Sequence, residues 1–355
     1  MENLVLTRPS VKAGFHGSPT FWPSRRSFSS TKSIRSPGFC FSSLKVLVEV
    51  EELADIDWDN LIYGIKPTDY MYMMKCAKDG SFSHGKLHQY GNIELSPSAG
   101  VLNYAQGVFE GLKAYRKQDG DVILFRPEEN ALRMLMGAER MCMPSPSVEQ
   151  FVDAVRETVS ANRRWAPPSG KGSLYIRPML FGSGPILGLA PSPEYTFLIY
   201  VTPVGNYFKE GLAPINLIVE TEYHRATPGG TGGIKTIGNY AAVLKAQTNA
   251  KLKGYNEVLY LDAIHKKYLE EVSGCNIFVV KVEERRIPVE EVFDADEVFG
   301  TGCAVVVSPV GSVTYLGKRI EYGGVGKVSR QLYSALISIQ FGLTEDTMGW
   351  TVIVK

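Results

Sequence analysis

The chain has no CxxC pair: Cys40, Cys76, Cys142, Cys275 and Cys303 are scattered along its 355 residues. That excludes a zinc knuckle and argues against a disulfide framework. Buried free thiols in a reducing compartment are the simpler reading. The five histidines (His16, His84, His88, His224, His265) show no HExxH or facial-triad spacing, so a metal site is not expected. Ser308 and Ser312 lack a nucleophile-elbow context, which excludes the usual serine hydrolase pattern. No apolar run approaches the ~18 residues of a membrane helix. A formal net charge of +1 gives no reason to expect a nucleic-acid partner. Acids are nearly absent from residues 1–45, where Glu2 stands alone against Arg8, Arg25, Arg26, Arg35 and several lysines. This serine-rich stretch, broken by prolines and glycines, cannot bury a core. It reads as an organellar transit peptide, plastid in preference to mitochondrial on its serine content.

What remains is long enough for two α/β domains. The first runs over residues 46–203. DVILF (Asp121–Phe125) reads as a strand, and a helix follows with Pro127 in its first turn and Glu128 and Glu129 where acids suit the dipole. Ser147 and Gln150 form a capping box ahead of Phe151, Val152 and Val155. Residues 175–180 and 197–201 are apolar strands. PVGNYFKEGLAP, with Gly and Pro at both ends, supplies a linker over 204–214. The second domain, 215–355, opens with a strand at 215–220 and a glycine-rich loop at 228–233. Asn239 is expected to cap a helix over 240–253 that Gly254 ends. Short strands follow at 258–262, 275–281, 297–299, 305–309 and 312–316, then a helix at 328–341 stopped by Gly342. Two unequal α/β domains with a site between them are the natural architecture.

Three patterns could carry chemistry. TPGGTGGIKTIGNY (Thr227–Tyr240) is not a P-loop, because Ile234 separates Gly233 from Lys235. A lysine after glycines can be a solvated loop residue. At a domain cleft, a desolvated amine can also act as a Schiff-base nucleophile. LEEVSGCNIF (Leu269–Phe278) sets two acids before a small-residue turn. A carboxylate there could lie under a cofactor ring and keep a pyridine nitrogen protonated, or could be a solvated surface acid. Arg126 follows a strand, and Arg177 sits inside the apolar YIRPM. Each suits either an anion or a structural ion pair.

Together these pieces resemble the fold-type-IV pyridoxal-phosphate transaminases, and within them the plant branched-chain amino-acid aminotransferases. The resemblance spans residues 58–355. It rests on NYAQGVFEGLKAYR (Asn103–Arg116), LFRPEEN (Leu124–Asn130), YIRPML (Tyr175–Leu180), GGIKTIGNYAAVLKAQ (Gly232–Gln247), YLEEVSGCNIFVV (Tyr268–Val280) and DEVFGTGCAVVVSPVGSV (Asp296–Val313). It implies a small N-terminal α/β domain, a larger β-rich C-terminal domain, and pyridoxal 5′-phosphate between them. By the same resemblance, Lys235 would hold the cofactor covalently and shuttle the proton at the substrate Cα. Tyr240 would bond the ring hydroxyl, Glu271 the pyridinium nitrogen and Arg126 the phosphate. Tyr104, Phe109 and Tyr175 would line the apolar pocket, and Arg177 would receive the distal carboxylate of glutamate. Backbone amides from Gly302 to Ala304 would take the substrate carboxylate. The reaction implied is transamination of leucine, isoleucine or valine with 2-oxoglutarate, in a homodimer, with neither membrane nor nucleic acid as partner.

Two departures from the family pattern stand out. Relatives carry an LPGITR-like loop and a helix after CNIFVVK, and these bind the cofactor phosphate. Here Lys281 runs straight into Val282, so roughly 30 residues are missing, about a strand, loop and helix. Cys303 replaces the usual threonine, and a thiol is the weaker donor to that phosphate. A catalytically silent isoform with poor cofactor retention and a fold-type-IV lyase are the competing readings.

Overall fold

The computed structural model describes residues 5–6 and 52–355, apart from 79, 206–211 and 281–284. Nearly all of the expected leader, the middle of the expected linker and the Lys281–Val282 junction therefore lie outside the described residues. Val5–Leu6 forms a two-residue strand, β1.

The first half is a mixed-length sheet built from β2 (Tyr70–Ala77), β3 (Lys86–Gln89), β4 (Gly107–Phe109), β5 (Leu112–Arg116), β6 (Val122–Phe125), β7 (Ser173–Gly182) and β8 (Glu194–Val204). Three helices belong to it: α1 (Gly100–Tyr104), α2 (Pro127–Arg140) and α3 (Val148–Ala161). The second half contains β9 (Ile215–Glu220), α4 (Gly238–Ala241), α5 (Leu244–Leu252), β10 (Glu257–Leu261), β11 (Leu269–Val272), β12 (Asn276–Val279), β13 (Val298–Gly302), β14 (Val306–Tyr315), β15 (Lys318–Glu321) and α6 (Lys327–Gln340). The last strand, β16 (Thr351–Val354), returns to the first sheet.

Strand order in the first sheet is β16-β6-β5-β7-β8-β2-β3, with β4 beside β7, and all its pairings are antiparallel. Its central strands β7 and β8 are buried along nearly their whole length. Helices α2 and α3 pack on the face that carries Ile176, Phe197 and Ile199, while Val101 of α1 lies with Phe181 and Leu198 on the other. In α3, Phe151, Val152, Val155 and Val159 recur at helical spacing and all are buried. Phe151 meets Phe197 of β8 with ring centroids 5.8 Å apart. Burying one such side chain stabilises by about 1.5–3 kcal/mol. The capping box is present as expected: Ser147 Oγ accepts from Gln150 N (3.1 Å), and Gln150 Oε1 accepts from Ser147 N (3.0 Å).

The second sheet runs β1-β12-β13-β14-β9-β10-β11, with β15 beside β14. Parallel β10 and β14 flank β9; the other pairs are antiparallel. Three expectations need correcting. The strands read at 305–309 and 312–316 are one strand, β14, because Gly311 continues the ladder with a register shift instead of turning. The C-terminal strand β16 joins the N-terminal sheet, where Val352 and Val354 complete the core around β6. Asn239 lies inside α4 and does not cap it, since its side chain is committed to the glycine loop. The helix expected over 240–253 is broken between Ala241 and Leu244, and Gly254 ends it with φ +82°. Helix α6 is capped from afar: the Glu297 carboxylate accepts from Val328 N (2.9 Å) and Ser329 N (2.7 Å).

Candidate active site between the two halves

Lys235 is held by its own backbone. Phe109 N–H of β4 donates to the Lys235 carbonyl (3.1 Å), Ile237 N–H donates to Gly107 O (3.1 Å), and Thr236 Oγ1 donates to the same oxygen (2.8 Å). These bonds lace the segment after the glycine loop onto the N-terminal sheet. Asn239 Nδ2 fixes the loop from the other side, donating to Thr231 O (2.8 Å) and Ile234 O (2.9 Å). The lysine side chain then points into a small aromatic cage. Its Nζ donates to the Tyr240 hydroxyl (2.8 Å) and lies 4.5 Å from the Phe109 ring centroid. Phe109 and Tyr240 meet edge to face at 4.9 Å.

Glu271, on β11, belongs to the same cluster. Burial raises its carboxyl above the usual range, while Arg225 and Lys235 pull it back down. Glu270 next to it is also raised, first by burial and then by the neighbouring Glu271 and Asp262 charges. The Arg225 guanidinium lies between Glu271 and Tyr240, with Nε 3.3 Å from Glu271 Oε1 and Cζ 5.0 Å from the Tyr240 ring centroid.

The substrate wall is built on β7. Arg177 Nη2 donates to the Tyr175 hydroxyl (2.9 Å), and its guanidinium lies 4.7 Å from the Phe109 ring. Tyr63 closes on Tyr175 at 5.7 Å. Gly111 is required here, because a Cβ at that position would lie only 2.3 Å from the Tyr175 hydroxyl oxygen. On the other side, Gly302 pairs with Val306 where β13 passes into β14. The Ala304 carbonyl in that turn accepts from Lys113 Nζ (2.8 Å). Burial lowers the Lys113 ammonium to about 8. Cys303 is exposed at the same turn.

Two expected residues lie elsewhere. The Arg126 side chain pairs with Glu129 (3.2 Å) and packs on Trp350 (5.6 Å), with no described contact to the Lys235 cage. Its backbone takes φ 49°, ψ 50°, and its N–H donates to Trp350 O (2.7 Å). A second arginine, Arg133, lies two turns into α2. It bonds Glu110 in a fork (Nε–Oε1 2.6 Å, Nη2–Oε2 2.5 Å) and interacts with Cys303. Tyr104 is partly exposed in α1 and donates to the Leu187 carbonyl. Lys235, Tyr240, Glu271, Phe109, Tyr175 and Arg177 do converge. Sequence reading passed over Arg225, Arg133, Glu110 and Lys113. The available signal was helical spacing from Asn130 to Arg133, which sets both side chains on the same face toward Glu110.

A pyridine ring with an acidic nitrogen needs a buried carboxylate, and Glu271 supplies one. A ring hydroxyl needs a donor beside the lysine, and Tyr240 supplies it. Arg225 adds two buried donors, Nε and Nη1, that have no hydrogen-bond partner among the described residues. The ring end of the site therefore fits pyridoxal 5′-phosphate. Among the described residues there is no cluster of metal-ligating side chains, and no helix is long and apolar enough to cross a membrane.

Residues 107–283 match the family model for amino-transferase class IV. The chain is 66% identical to the chloroplastic branched-chain amino acid aminotransferase 2 of Humulus lupulus, covering 89% of this chain and 86% of the relative. It is 65% identical to the chloroplastic branched-chain-amino-acid aminotransferase 5 of Arabidopsis thaliana, covering 86% and 81%. The first alignment spans 352 positions but takes up 89% of 355 residues, about 316, so about 36 positions have no residue here. Among solved structures, the Escherichia coli branched-chain amino acid aminotransferase superposes with a TM-score of 0.69 at 25% identity, over 81% of this chain and all of that one. On fold, family model and close identity over most of its length, the chain belongs to the branched-chain amino acid aminotransferases.

Proposed function

We propose that this chain, acting in the plastid as a homodimer, moves the amino group of leucine, isoleucine or valine to 2-oxoglutarate, with Lys235 as the catalytic base. The observation that carries the reading is the convergence of Lys235, Tyr240 and Glu271 in one half-buried cage. The chloroplastic relatives and the acid-poor leader support the compartment. The lyase reading has no support among these relatives.

The cofactor of the family is pyridoxal 5′-phosphate; when bound, it supplies the electron sink for the charge left at the substrate Cα. This chain's residues do the rest. Glu271 would hold the ring nitrogen in its protonated form, and Tyr240 would bond the ring hydroxyl. Freed of its covalent link, Lys235 Nζ would take the proton from the substrate Cα and return it on the far side of the transfer. Phe109, Tyr175 and Tyr63 exclude water and accept an aliphatic side chain. Arg177, held by the Tyr175 hydroxyl, would receive the distal carboxylate when glutamate or 2-oxoglutarate is bound. Amides from Gly302 to Ala304 would take the α-carboxylate, with Lys113 steadying that turn.

The phosphate end is less complete. Arg133 and the thiol of Cys303 are its described donors. The positions that relatives have and this chain lacks, together with a family match that stops at residue 283, support a deletion of the phosphate-binding segment at Lys281–Val282. The test is direct. Purified chain in excess cofactor should convert leucine and 2-oxoglutarate slowly to glutamate, and Lys235→Ala should abolish both turnover and borohydride-stable cofactor attachment. Attachment that persists in Lys235→Ala would remove the lysine from this role.

A further inference from the structure

Arg225 follows β9 and precedes the glycine loop, and it is 7% exposed. Nothing in the catalytic reading above uses it. Apart from Lys235, it is the described cation facing both Glu271 and Tyr240. An arginine is rarely buried unless its charge is answered. Here Glu271 answers it at 3.3 Å, close enough to pair as ions but not aligned as a hydrogen bond, since Nε and Nη1 both remain without a hydrogen-bond partner. The opposite face of the guanidinium lies on the Tyr240 ring, the stacking that suits its planar, weakly hydrated cation.

We propose that Arg225 is a positioning residue of this site, a clamp that fixes the Glu271 carboxylate and the Tyr240 ring in the mutual orientation that the cofactor ring requires. It acts through those two residues. The inference rests on the reading that Glu271 faces the ring nitrogen. The electrostatics run the same way. Burial opposes ionisation of Glu271, and Arg225 is the largest opposing influence, ahead of Lys235. The other titratable groups facing Glu271 are Glu270 on its own strand and Cys275 at the turn after it. Neither can supply positive charge. Without Arg225, Glu271 would be left to Lys235, whose amine is also needed for chemistry.

The test uses the full chain. In the cofactor-free protein, the Glu271 carboxylate band is identified by infrared difference against Glu271→Gln and titrated. Arg225→Met should move its midpoint upward by about one pH unit, a tenfold change in proton affinity of the kind one nearby charge produces. Arg225→Lys should recover most of that shift. Affinity is then measured for pyridoxal 5′-phosphate and for its carbocyclic analogue, which lacks the ring nitrogen. Arg225→Met should weaken the natural cofactor about tenfold and the analogue by less than about twofold. Thermal unfolding checks each variant, and if the methionine variant melts early, Arg225→Gln is read the same way. An unmoved midpoint, or equal weakening of both ligands, overturns the proposal and leaves Arg225 a packing residue. If Glu271→Gln fails to change the preference for cofactor over analogue, the ring-nitrogen reading of Glu271 falls instead. The infrared titration still judges Arg225 in that case.

Discussion

Glu110 is fully buried, and four hydrogen bonds converge on its carboxylate. Arg133 gives two, Asn130 Nδ2 gives one at 2.8 Å, and Gly111 N–H gives one at 3.3 Å. The residue before it, Phe109, donates its N–H to the Lys235 carbonyl. The ion pair therefore locks α2 to the segment that carries the lysine cage. Breaking a fully buried pair costs about 3–5 kcal/mol. Here the Arg133 side chain is 47% exposed, so it rehydrates when its partner is lost. Glu110→Gln should cost less, about 2–3 kcal/mol. Arg133→Met strands the Glu110 charge with only Asn130 and one amide, so it should cost about 3–4 kcal/mol. At about 2–4 °C per kcal/mol, the two variants should melt roughly 4–16 °C below the parent. The double variant Glu110→Gln, Arg133→Met should lose clearly less than the sum of the two, because it removes both charges together. Thermal and urea unfolding of the four proteins closes the cycle, and equilibrium dialysis gives the cofactor affinity of each. The reasoning is refuted if Glu110→Gln melts with the parent, or if the two losses simply add.

Three further outcomes are expected. Glu271→Gln should slow proton abstraction strongly in single-turnover measurements while Glu270→Gln stays mild; the reverse ranking would show that the other carboxylate faces the ring. Lys113 is lowered by burial to about 8 from 10.5, so between those values the unfolded chain binds more protons than the folded one. Stability should therefore rise with pH across that window and the added slope should vanish in Lys113→Met, as pH-dependent melting will show. Cofactor should be lost on dialysis of the unmodified chain, since losing about two charge-assisted bonds at a helix N-terminus costs about 3–6 kcal/mol, or roughly 10² to 10⁴-fold in affinity. Insertion of a relative's strand, loop and helix between Lys281 and Val282 should restore retention; full retention and turnover without it would show that another loop supplies the phosphate amides.

Much of the architecture was legible from local signals. The Ser147–Gln150 box, Pro127 at the first turn of α2 and Gly342 after α6 each act within one helical turn, so spacing alone reveals them. Apolar runs such as YIRPM and NIFVV marked β7 and β12. The Lys235, Tyr240 and Glu271 cluster was legible through long strings that resemble a known family. Long-range decisions were not. The return of β16 to the first sheet depends on Val352 and Val354 finding the core around β6, more than 200 residues away in the chain. Asn239 has the residue type of a helix cap, yet the glycine loop claims its side chain. Arg126 and Arg133 lie on the same short stretch of sequence with the same charge. Only the left-handed backbone at Arg126 and the buried carboxylate of Glu110 decide that one pairs with Glu129 beside Trp350 and the other with Glu110. The sequence by itself determined many of the elements and the family. The tertiary structure decided which charges meet, because a buried ion pair is set by what packs around it and not by its neighbours in the chain.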